Sequence, residues 1–347
     1  MQTIFIIAIL ILGFVVAFQI SKASEYVSVL RGFDRSRKQS NRINGFLMLV
    51  FLVVGLLGVY YCNEKLKGSI LGEPASDHGV LVDRMLYVTL GITFIVFVAT
   101  QVALFWFAYK YQESENRKAY YFPHNNKLEF IWTIIPAITL TILVGFGIFY
   151  WFKITGNAPK DAMVVEVTGK QFGWQFRYPG ADGQLGKKYF KNVNAAASNP
   201  LGQLWDDPAN QDDIFVEQEM HLVVNRPVQL VIGSQDVIHD VGLAHFRMKM
   251  DAVPGTPTTM WFTPKFTTKE MKEKTGNPDF VYEISCDQMC GKGHWSMRGT
   301  IVVETQEEYD AWMASKKPQY LVANPSLDPS VKKDSTTAAP IAQAIIR

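Results

Sequence analysis

Two of the chain's three cysteines lie close together in the stretch "CDQMCGKGHWSM", residues 286–297. Cys286 and Cys290 are followed by His294 and Met297, so thiol, imidazole and thioether groups occur within one short segment. Side chains of these types at this spacing predict a disulfide, a zinc site or a copper site. Each of the three uses a different part of the set.

A disulfide would explain both cysteines in an oxidising compartment, but it would leave His294 and Met297 without a role. Zinc could take both cysteines, His294 and one more histidine, yet it prefers Cys, His and carboxylate ligands and again leaves the methionine out. Copper can use every member, because thiolates, imidazoles and a weak thioether suit copper electron transfer. Two thiolates could bridge two copper ions, and each ion would then need its own imidazole.

A second histidine must therefore come from elsewhere in the chain. His239, in "SQDVIHD", follows a predicted strand and is the candidate. His221 and His245 compete with it. His221 opens a strand and is interpreted as a surface residue, and His245 as a loop residue near a subunit interface.

The elements that must hold these ligands are short strands. Beyond residue 160, short runs rich in Val, Ile, Phe, Tyr or Thr are bounded by Gly, Pro, Asn or Asp. Such a pattern is typical of an all-β sandwich or barrel. The cysteine stretch then lies in a loop between two strands, whose fixed ends can hold a metal. The predicted strands lie within 163–178, 221–235, 256–264, 280–286 and 299–305, with a long surface loop at 180–214.

Four long apolar runs come before this domain, at 3–20, 43–62, 85–109 and 129–152. Each is near or above the roughly 17–20 residues that a helix needs to cross a membrane. The first run could instead be a signal peptide, but its leading "MQT" carries no positive charge. The sequence therefore predicts a membrane α-helical N-terminal half, surrounded by lipid, and an all-β second half.

Charge sets the expected orientation of these spans. Segments 21–44 and 110–128 are rich in Lys and Arg, whereas 63–84 is not. By the positive-inside rule the two basic segments face the cytoplasm, so the N-terminus and the β-domain lie outside. The net charge of +2 argues against nucleic acid as a partner.

Separate motifs in the chain resemble subunit II of the haem–copper cytochrome c oxidases, with its binuclear CuA centre. They are "SQDVIH" (234–239), "DAVPG" (251–255), the cysteine stretch, and "KLEFIWTIIPA" (127–137) at the start of the fourth apolar run. The resemblance covers about 85–315. It implies an added transmembrane hairpin at 1–62, an outer loop and two-helix anchor at 63–152, a cupredoxin-like Greek-key domain at 153–315 and a flexible tail at 316–347.

The resemblance also implies a ligand set for two copper ions. Cys286 and Cys290 would be the bridging thiolates, and His239 and His294 would bind one copper each. Met297 and the backbone carbonyl of Gln288 would be weak ligands, one to each ion.

A role in respiration follows from the same resemblance. The chain would accept electrons from cytochrome c, or from a cytochrome c domain of a neighbouring complex, outside a bacterial cytoplasmic membrane. It would pass them to the haem–copper site of subunit I, where O₂ is reduced to water and protons are pumped. Subunit III would be a further partner, and the chain would be an oxidoreductase subunit without the oxygen chemistry.

Four further residues gain expected roles from the family. Phe172 stands where a tryptophan usually receives the electron, and Trp174 follows two positions later. Glu129 would mark the mouth of a proton pathway. Asp251 would lie near a Mg²⁺ or Mn²⁺ ion shared with subunit I. That second metal is left open, because the family commonly has Glu at the position of Gln288, and an amide is the weaker ligand for a hard cation.

One acidic segment of the β-domain has two interpretations. Residues 206–213 contain Asp206, Asp207, Asp212 and Asp213. They could steer a basic cytochrome towards the site, or they could simply be a solvated loop.

Overall fold

The computed structural model describes residues 2–67, 72–114 and 117–329. The chain divides into two compact units. One comprises Met1–Leu71 and Leu86–Leu143, and the other comprises Gly72–Met85 and Val144–Arg347.

The N-terminal half is helical, as its apolar runs predict. Lipid offers no hydrogen-bond partner, so threonine hydroxyls inside the spans donate to backbone carbonyls of their own helix. Thr100 Oγ1, for example, donates to the Val96 carbonyl at 2.9 Å. Three helices in the described part of the chain are long and apolar enough to cross a membrane, over Arg37–Leu66, Asp77–Lys110 and Asn126–Ile154. The four helices are α1 (Gln2–Arg31), α2 (Phe33–Leu66), α3 (Asp77–Lys110) and α4 (Asn126–Ile154).

The first predicted span, 3–20, lies within α1. The side chains of several of its residues are not among those that the structure describes, so this span stays a prediction.

Helix α2 packs along α3 within the first unit. The rings of Phe51 and Phe105 are 5.5 Å apart. Gly45 of α2 lies near the end of α3, because a Cβ added there would lie 3.1 Å from the Gln112 side chain and in ordinary contact, at 3.4 Å, with the Tyr109 ring. The added helix is therefore joined to the span that follows it by side-chain packing as well as by sequence.

Ten strands form a sandwich of two five-stranded sheets. The first sheet has the order β3-β2-β1-β5-β8 and the second has the order β4-β10-β9-β6-β7. Both mix antiparallel with parallel pairs, since β1 runs parallel to β5 and β10 runs parallel to β4. The strands are β1 (Met163–Lys170), β2 (Gly173–Tyr178), β3 (Ile214–Glu217), β4 (Glu219–Val223), β5 (Val228–Ser234), β6 (His239–Leu243), β7 (Met248–Ala252), β8 (Thr258–Phe262), β9 (Tyr282–Cys286) and β10 (Arg298–Glu304).

Apolar side chains from both sheets fill the space between them. Val165 and Val167 of β1 are fully buried, and so are Leu230 and Ile232 of β5 and Ile284 of β9. Their spacing of two along each strand places them on one face, as alternation in the sequence predicts. This packed core fixes the strand ends from which the site is built.

The segment predicted as a long surface loop, 180–214, is anchored by a buried charge network. The Arg177 guanidinium donates to Glu166 at 2.6 Å, to Asp213 at 2.8 Å and to the Asn210 side chain at 3.0 Å. Burial raises the pKa of Asp213 to about 6. Glu166 behaves differently: burial opposes its ionisation, but the Arg177 and Lys188 cations hold its pKa below the usual value.

The helix that follows the last strand packs on the sandwich. Helix α6 (Gln306–Ala314) places Trp312 flat against His221, with ring centroids 3.9 Å apart. The interpretation of His221 as a surface residue is therefore wrong, because it is buried between Trp312 and the carboxylates of Glu304 and Glu219.

The segment predicted as a tail begins with ordered structure. Helix α7 (Gln319–Ala323) is tied to the sandwich where the Gln319 amide donates to the Asp213 carbonyl at 2.9 Å. Residues 330–347 of that segment lie outside the described residues. The remaining helix, α5 (Thr268–Thr275), lies between β8 and β9.

The outer ends of α3 and α4 are fixed to the sandwich within the second unit. Arg247 donates to both carboxylate oxygens of Asp83 in α3, at 2.8 and 3.1 Å. The Trp261 indole of β8 donates to the Gly156 carbonyl, just beyond α4, at 2.8 Å. These bonds hold the β-domain to the ends of two spanning helices.

Candidate metal centre

Strand pairing brings the distant histidine to the cysteine stretch. His239 is the first residue of β6 and Cys286 is the last residue of β9. The two strands are antiparallel neighbours, with Val241 opposite Cys286. Cys290 and His294 lie in the loop that follows β9. His239 therefore reaches the site through the sheet, although it lies 47 residues from Cys286 in the chain.

The sulfur and nitrogen atoms converge in two matched halves. The Sγ atoms of Cys286 and Cys290 are 3.8 Å apart. The Nδ1 atom of His239 lies 3.7 Å from the first sulfur, and Nδ1 of His294 lies 3.7 Å from the second. Each thiol thus has one imidazole beside it, so one imidazole is available at each half of the site.

Two weaker donors complete the set, one beside each thiol. The Met297 Sδ atom is 3.8 Å from Cys290 Sγ, and the backbone oxygen of Gln288 is 3.1 Å from Cys286 Sγ. All six predicted ligands are thus brought together, and both cysteines are free thiols. A disulfide has its sulfurs about 2 Å apart, so that alternative does not describe this arrangement.

The site is buried, and its donor atoms are of the kinds that a soft metal prefers. Cys286, Cys290, Met297 and His239 are all buried. Burial and the neighbouring Cys286 thiol raise the pKa of Cys290 to about 11. A metal that binds at this thiol must therefore displace a proton. The set fits copper, because two thiolates, two imidazoles and a thioether outnumber its single oxygen donor, the Gln288 carbonyl, whereas hard cations prefer several oxygen ligands.

Asp236 fixes the ring of His239. Its Oδ1 atom accepts a hydrogen bond from His239 Nε2 at 2.8 Å, and its Oδ2 atom accepts one from the Gln171 backbone amide at 2.7 Å. The proton on Nε2, assigned from this hydrogen bond, leaves Nδ1 free to face Cys286. A carboxylate behind a ligating histidine sets both its tautomer and its orientation.

Gly169 makes room for the same ring. A Cβ at this position would lie 2.8 Å from Cδ2 of His239, closer than real Cβ contacts allow. The buried histidine therefore requires a glycine on β1 in the facing sheet.

The two aromatic residues predicted to receive the electron have different surroundings. Phe172 exposes 41% of its surface and lies over Gly293, where an added Cβ would clash with its ring. Trp174 is fully buried, with its ring centroid 6.2 Å from that of His239. Phe172 is thus accessible to a partner protein, whereas Trp174 is a core residue beside a ligand.

Asp251 lies in β7, directly opposite Asp240 of β6. Burial, followed by the contact with Asp251, raises the pKa of Asp240 to about 6. Across the described residues, the one group of His, Cys, Asp and Glu close enough to share an ion is His239, Cys286 and Cys290. Asp251 is not in this group, so a Mg²⁺ or Mn²⁺ ion at Asp251 would need further ligands that the described His, Cys, Asp and Glu side chains do not bring together.

Glu129 lies in the first turn of α4. One of its carboxylate oxygens accepts a hydrogen bond from the Asn125 backbone amide at 3.3 Å. This contact is a local one at the helix N-terminus, and the proton role stays a prediction.

Most of the acidic segment 206–213 is occupied by local structure. Asp213 is buried on Arg177, Asp207 accepts from the Lys187 amide at 2.9 Å, and Asp212 accepts from the Asp182 amide at 3.0 Å. Asp213 is buried and paired with Arg177, so it cannot form part of an exposed steering face. Asp207 and Asp212 keep their charge in these local contacts, and for them and Asp206 the steering role stays a prediction.

Two residues near the site were not predicted from the sequence. The side-chain amide of Gln171, in the turn that follows β1, donates to the Cys290 carbonyl at 2.5 Å, which ties that turn to the cysteine loop. Trp295 exposes 80% of its surface beside His294. Its position next to a predicted ligand was the available signal, whereas the contact of Gln171 depends on the fold.

Two protein-family models match the chain. Residues 74–150 match the family described as cytochrome C oxidase subunit II, transmembrane domain, and residues 163–306 match its periplasmic domain. The alternative cytochrome c oxidase subunit 2 of Bradyrhizobium diazoefficiens is 33% identical over 271 residues, covering 78% of this chain and 92% of that protein. Cytochrome c oxidase subunit 2 of Thermostichus vulcanus is 24% identical, covering 76% and 83%.

Among solved structures, the periplasmic domain of subunit II of cytochrome oxidase from Bradyrhizobium japonicum is similar to part of the chain. It has a TM-score of 0.33 and 22% identity, and the match covers 47% of this chain and 99% of that one.

The two family matches confirm the predicted architecture of a membrane α-helical half followed by an all-β, cupredoxin-like domain outside the membrane. The matched subunits and the His–Cys–Cys group also imply copper. The chain belongs to the cytochrome c oxidase subunit II family and is a membrane subunit of a haem–copper oxidase.

Proposed function

We propose that this chain is the electron-accepting subunit of its oxidase, taking electrons from cytochrome c at a binuclear CuA centre and delivering them to the haem–copper site of subunit I. The observation that carries the proposal is the pairing of each thiol with its own imidazole. Cys286 Sγ lies 3.7 Å from His239 Nδ1, and Cys290 Sγ lies 3.7 Å from His294 Nδ1. A zinc site would not call for the thioether of Met297.

Cys286, Cys290, His239 and His294 would hold two copper ions, and such a pair would supply a redox centre that shares one electron and changes its bond lengths little. The chain's own residues support this by holding the ligands still. His239 is fixed by Asp236, and the cysteine loop is tied through Gln171 to the turn that follows β1. The buried ligands also exclude water, and a fixed, dry ligand set needs little rearrangement.

The remaining parts of the proposal concern the assembly. Subunits I and III and membrane lipid would surround the helices, and the N-terminus and β-domain would lie on the periplasmic side of a bacterial cytoplasmic membrane. Oxygen would be reduced to water in subunit I, coupled to proton pumping, with Glu129 at the mouth of a proton pathway. Asp251 and the Gln288 amide would lie near any Mg²⁺ or Mn²⁺ at the subunit I boundary.

Mixing the copper-loaded, full-length chain with reduced cytochrome c without oxygen tests the electron-accepting role. We expect the cytochrome to be oxidised as the site is reduced. Cys290→Ser should abolish this, because it removes one bridging thiol. Cys62→Ser is the matched control, since Cys62 is an exposed thiol of α2. A chain that retains zinc in preference to copper, and leaves the cytochrome reduced, would contradict the proposal.

A further inference from the structure

Trp295 is unusual among the tryptophans of the β-domain. It exposes 80% of its surface, whereas Trp174 is fully buried. The other three of this domain, Trp205, Trp261 and Trp312, are at least partly buried. Leaving a large aromatic side chain in water forgoes its burial energy, and exposed aromatic residues of this kind are enriched at contact sites.

The turn that carries Trp295 is held firmly by the site itself. The preceding residue, His294, lies 3.7 Å from Cys290 Sγ, and Met297 follows two positions later. The Ser296 amide and hydroxyl both donate to the Gly293 carbonyl at 3.0 Å, and the Met297 amide donates to the His294 carbonyl at 3.2 Å. The indole is therefore presented to solvent on a fixed turn between two ligands.

Phe172 packs against the same cysteine loop. Its ring lies against Gly293, two residues before Trp295. Trp174 is enclosed in the core and cannot touch a partner protein. Of these three aromatic side chains, that of Trp295 is thus the most exposed, and a single peptide bond joins its residue to a ligand.

Resting on the proposed function, we propose that Trp295 is the residue through which the cytochrome donor contacts the metal site. Its indole packs against the exposed haem edge of a c-type cytochrome and shortens the electron's path to His294. One electron leaves the ferrous haem, which becomes ferric, and the metal site gains that electron. Trp295 is unchanged at the end, and no proton moves.

The charges on this turn indicate which charges a complementary donor surface should carry. Lys292 is exposed, and Arg298 is exposed and faces Glu283 at 3.7 Å. Asp287 is paired with Lys249 at 2.7 Å, and Asp236 is turned to His239 and the Gln171 amide, so Lys292 is the exposed charge of this turn that is in none of the ion pairs of the described residues. A haem edge bordered by carboxylates complements this turn, because opposite charges favour encounter and register.

The first experiment measures binding without electron transfer. Oxidised cytochrome c that the purified oxidase accepts as substrate is titrated onto the copper-free full-length chain in detergent. We expect Trp295→Ala to raise Kd roughly tenfold or more, as for an aromatic hot spot, and Trp295→Phe to restore most of the affinity. Leu327→Ala is the control, since Leu327 is 54% exposed in the C-terminal turn. Unchanged binding by Trp295→Ala would overturn the proposal.

The second experiment separates donor contact from contact with subunit I, using the whole oxidase. Trp295→Ala should slow the bimolecular phase of cytochrome oxidation while leaving the internal transfer to haem unchanged after photolysis of the carbon monoxide complex. A slowed internal phase with a normal bimolecular phase would place Trp295 against subunit I and overturn the proposal.

A separate variant tests the charge that we assign to the donor surface. Lys292→Glu should weaken binding of a donor whose haem edge is bordered by carboxylates, and tighter binding would contradict that assignment. All variants should keep the copper spectrum of the unaltered chain. If the unaltered chain shows no copper spectrum, the proposed function is contradicted. If Trp295→Ala has a normal copper spectrum and binds the donor as the unaltered chain does, only the role of Trp295 is contradicted.

Discussion

At the scale of single residues, the site depends on side chains that are not ligands as much as on those that are. Asp236 sets the orientation of His239, and Gln171 holds the loop that carries Cys290. Gly169 leaves the space that the imidazole occupies. Each acts through a contact across the sandwich rather than through the ligand motif.

Gly169→Ala tests the space around His239. The added methyl would lie 2.8 Å from the ring, so we expect the imidazole to shift and copper affinity to fall roughly 10–100-fold, as when a ligand loses its supporting contacts. Competition with a copper chelator measures this loss. Gly233→Ala on the neighbouring strand is the control, because nothing lies within 4 Å of its added Cβ. Equal affinities in the two variants would contradict the role given to Gly169.

Residue types and spacing pointed to a thiol, imidazole and thioether cluster, the family resemblance supplied the full ligand set, and the structure brings the six predicted ligands together. The supporting residues could not be predicted in this way. Gln171 and Gly169 are ordinary letters of a strand pattern, and their role follows from which strand faces the cysteine loop. Phe172 and Trp174 were both predicted at the point of electron entry, but the fold leaves Phe172 partly exposed and encloses Trp174 in the core.

At the scale of elements, strands with clear alternation were predictable and the polar ones were not. Strand β6, "HDVGL", is buried along its whole length despite its His, Asp and Gly. Residues of these types are poor strand formers, and tertiary contacts override their propensity. Helices α5 and α6 did carry a signal, because Thr267 with Glu270 and Thr305 with Glu308 form capping boxes.

The buried network on Arg177 should dominate the stability of the long segment between β2 and β3. Arg177→Met would leave Asp213 as an uncompensated buried carboxylate, so we expect a loss of about 3–5 kcal/mol in the free energy of unfolding. Lys170→Met is the control: the Lys170–Glu217 pair is well exposed, and such pairs contribute about 1 kcal/mol or less. Denaturant unfolding of the full-length chain compares them. Similar losses in both variants would show that the network is not the anchor.

At the scale of the whole molecule, apolar runs and charge bias predict a helical membrane half with the β-domain outside. Three helices of the described residues meet the length and composition for spanning. The family match begins at residue 74, so α1 and α2 lie before it. The predicted orientation places the end of α2 outside.

Cys62 allows a direct test of that orientation. It is exposed near the end of α2, whereas Cys286 and Cys290 are buried in the site. A thiol reagent that cannot cross membranes should label Cys62 in intact cells with a permeable outer membrane, and Cys62→Ser should remove the label. Labelling that requires disruption of the inner membrane would reverse the predicted topology.

The central claim is that two copper ions share one electron between paired thiol and imidazole ligands. The electron paramagnetic resonance spectrum of the copper-loaded, full-length chain tests it most directly. We predict hyperfine splitting from two equivalent copper nuclei, lost in Cys290→Ser and retained in Cys62→Ser. Splitting from a single copper nucleus in the unaltered chain would contradict the claim.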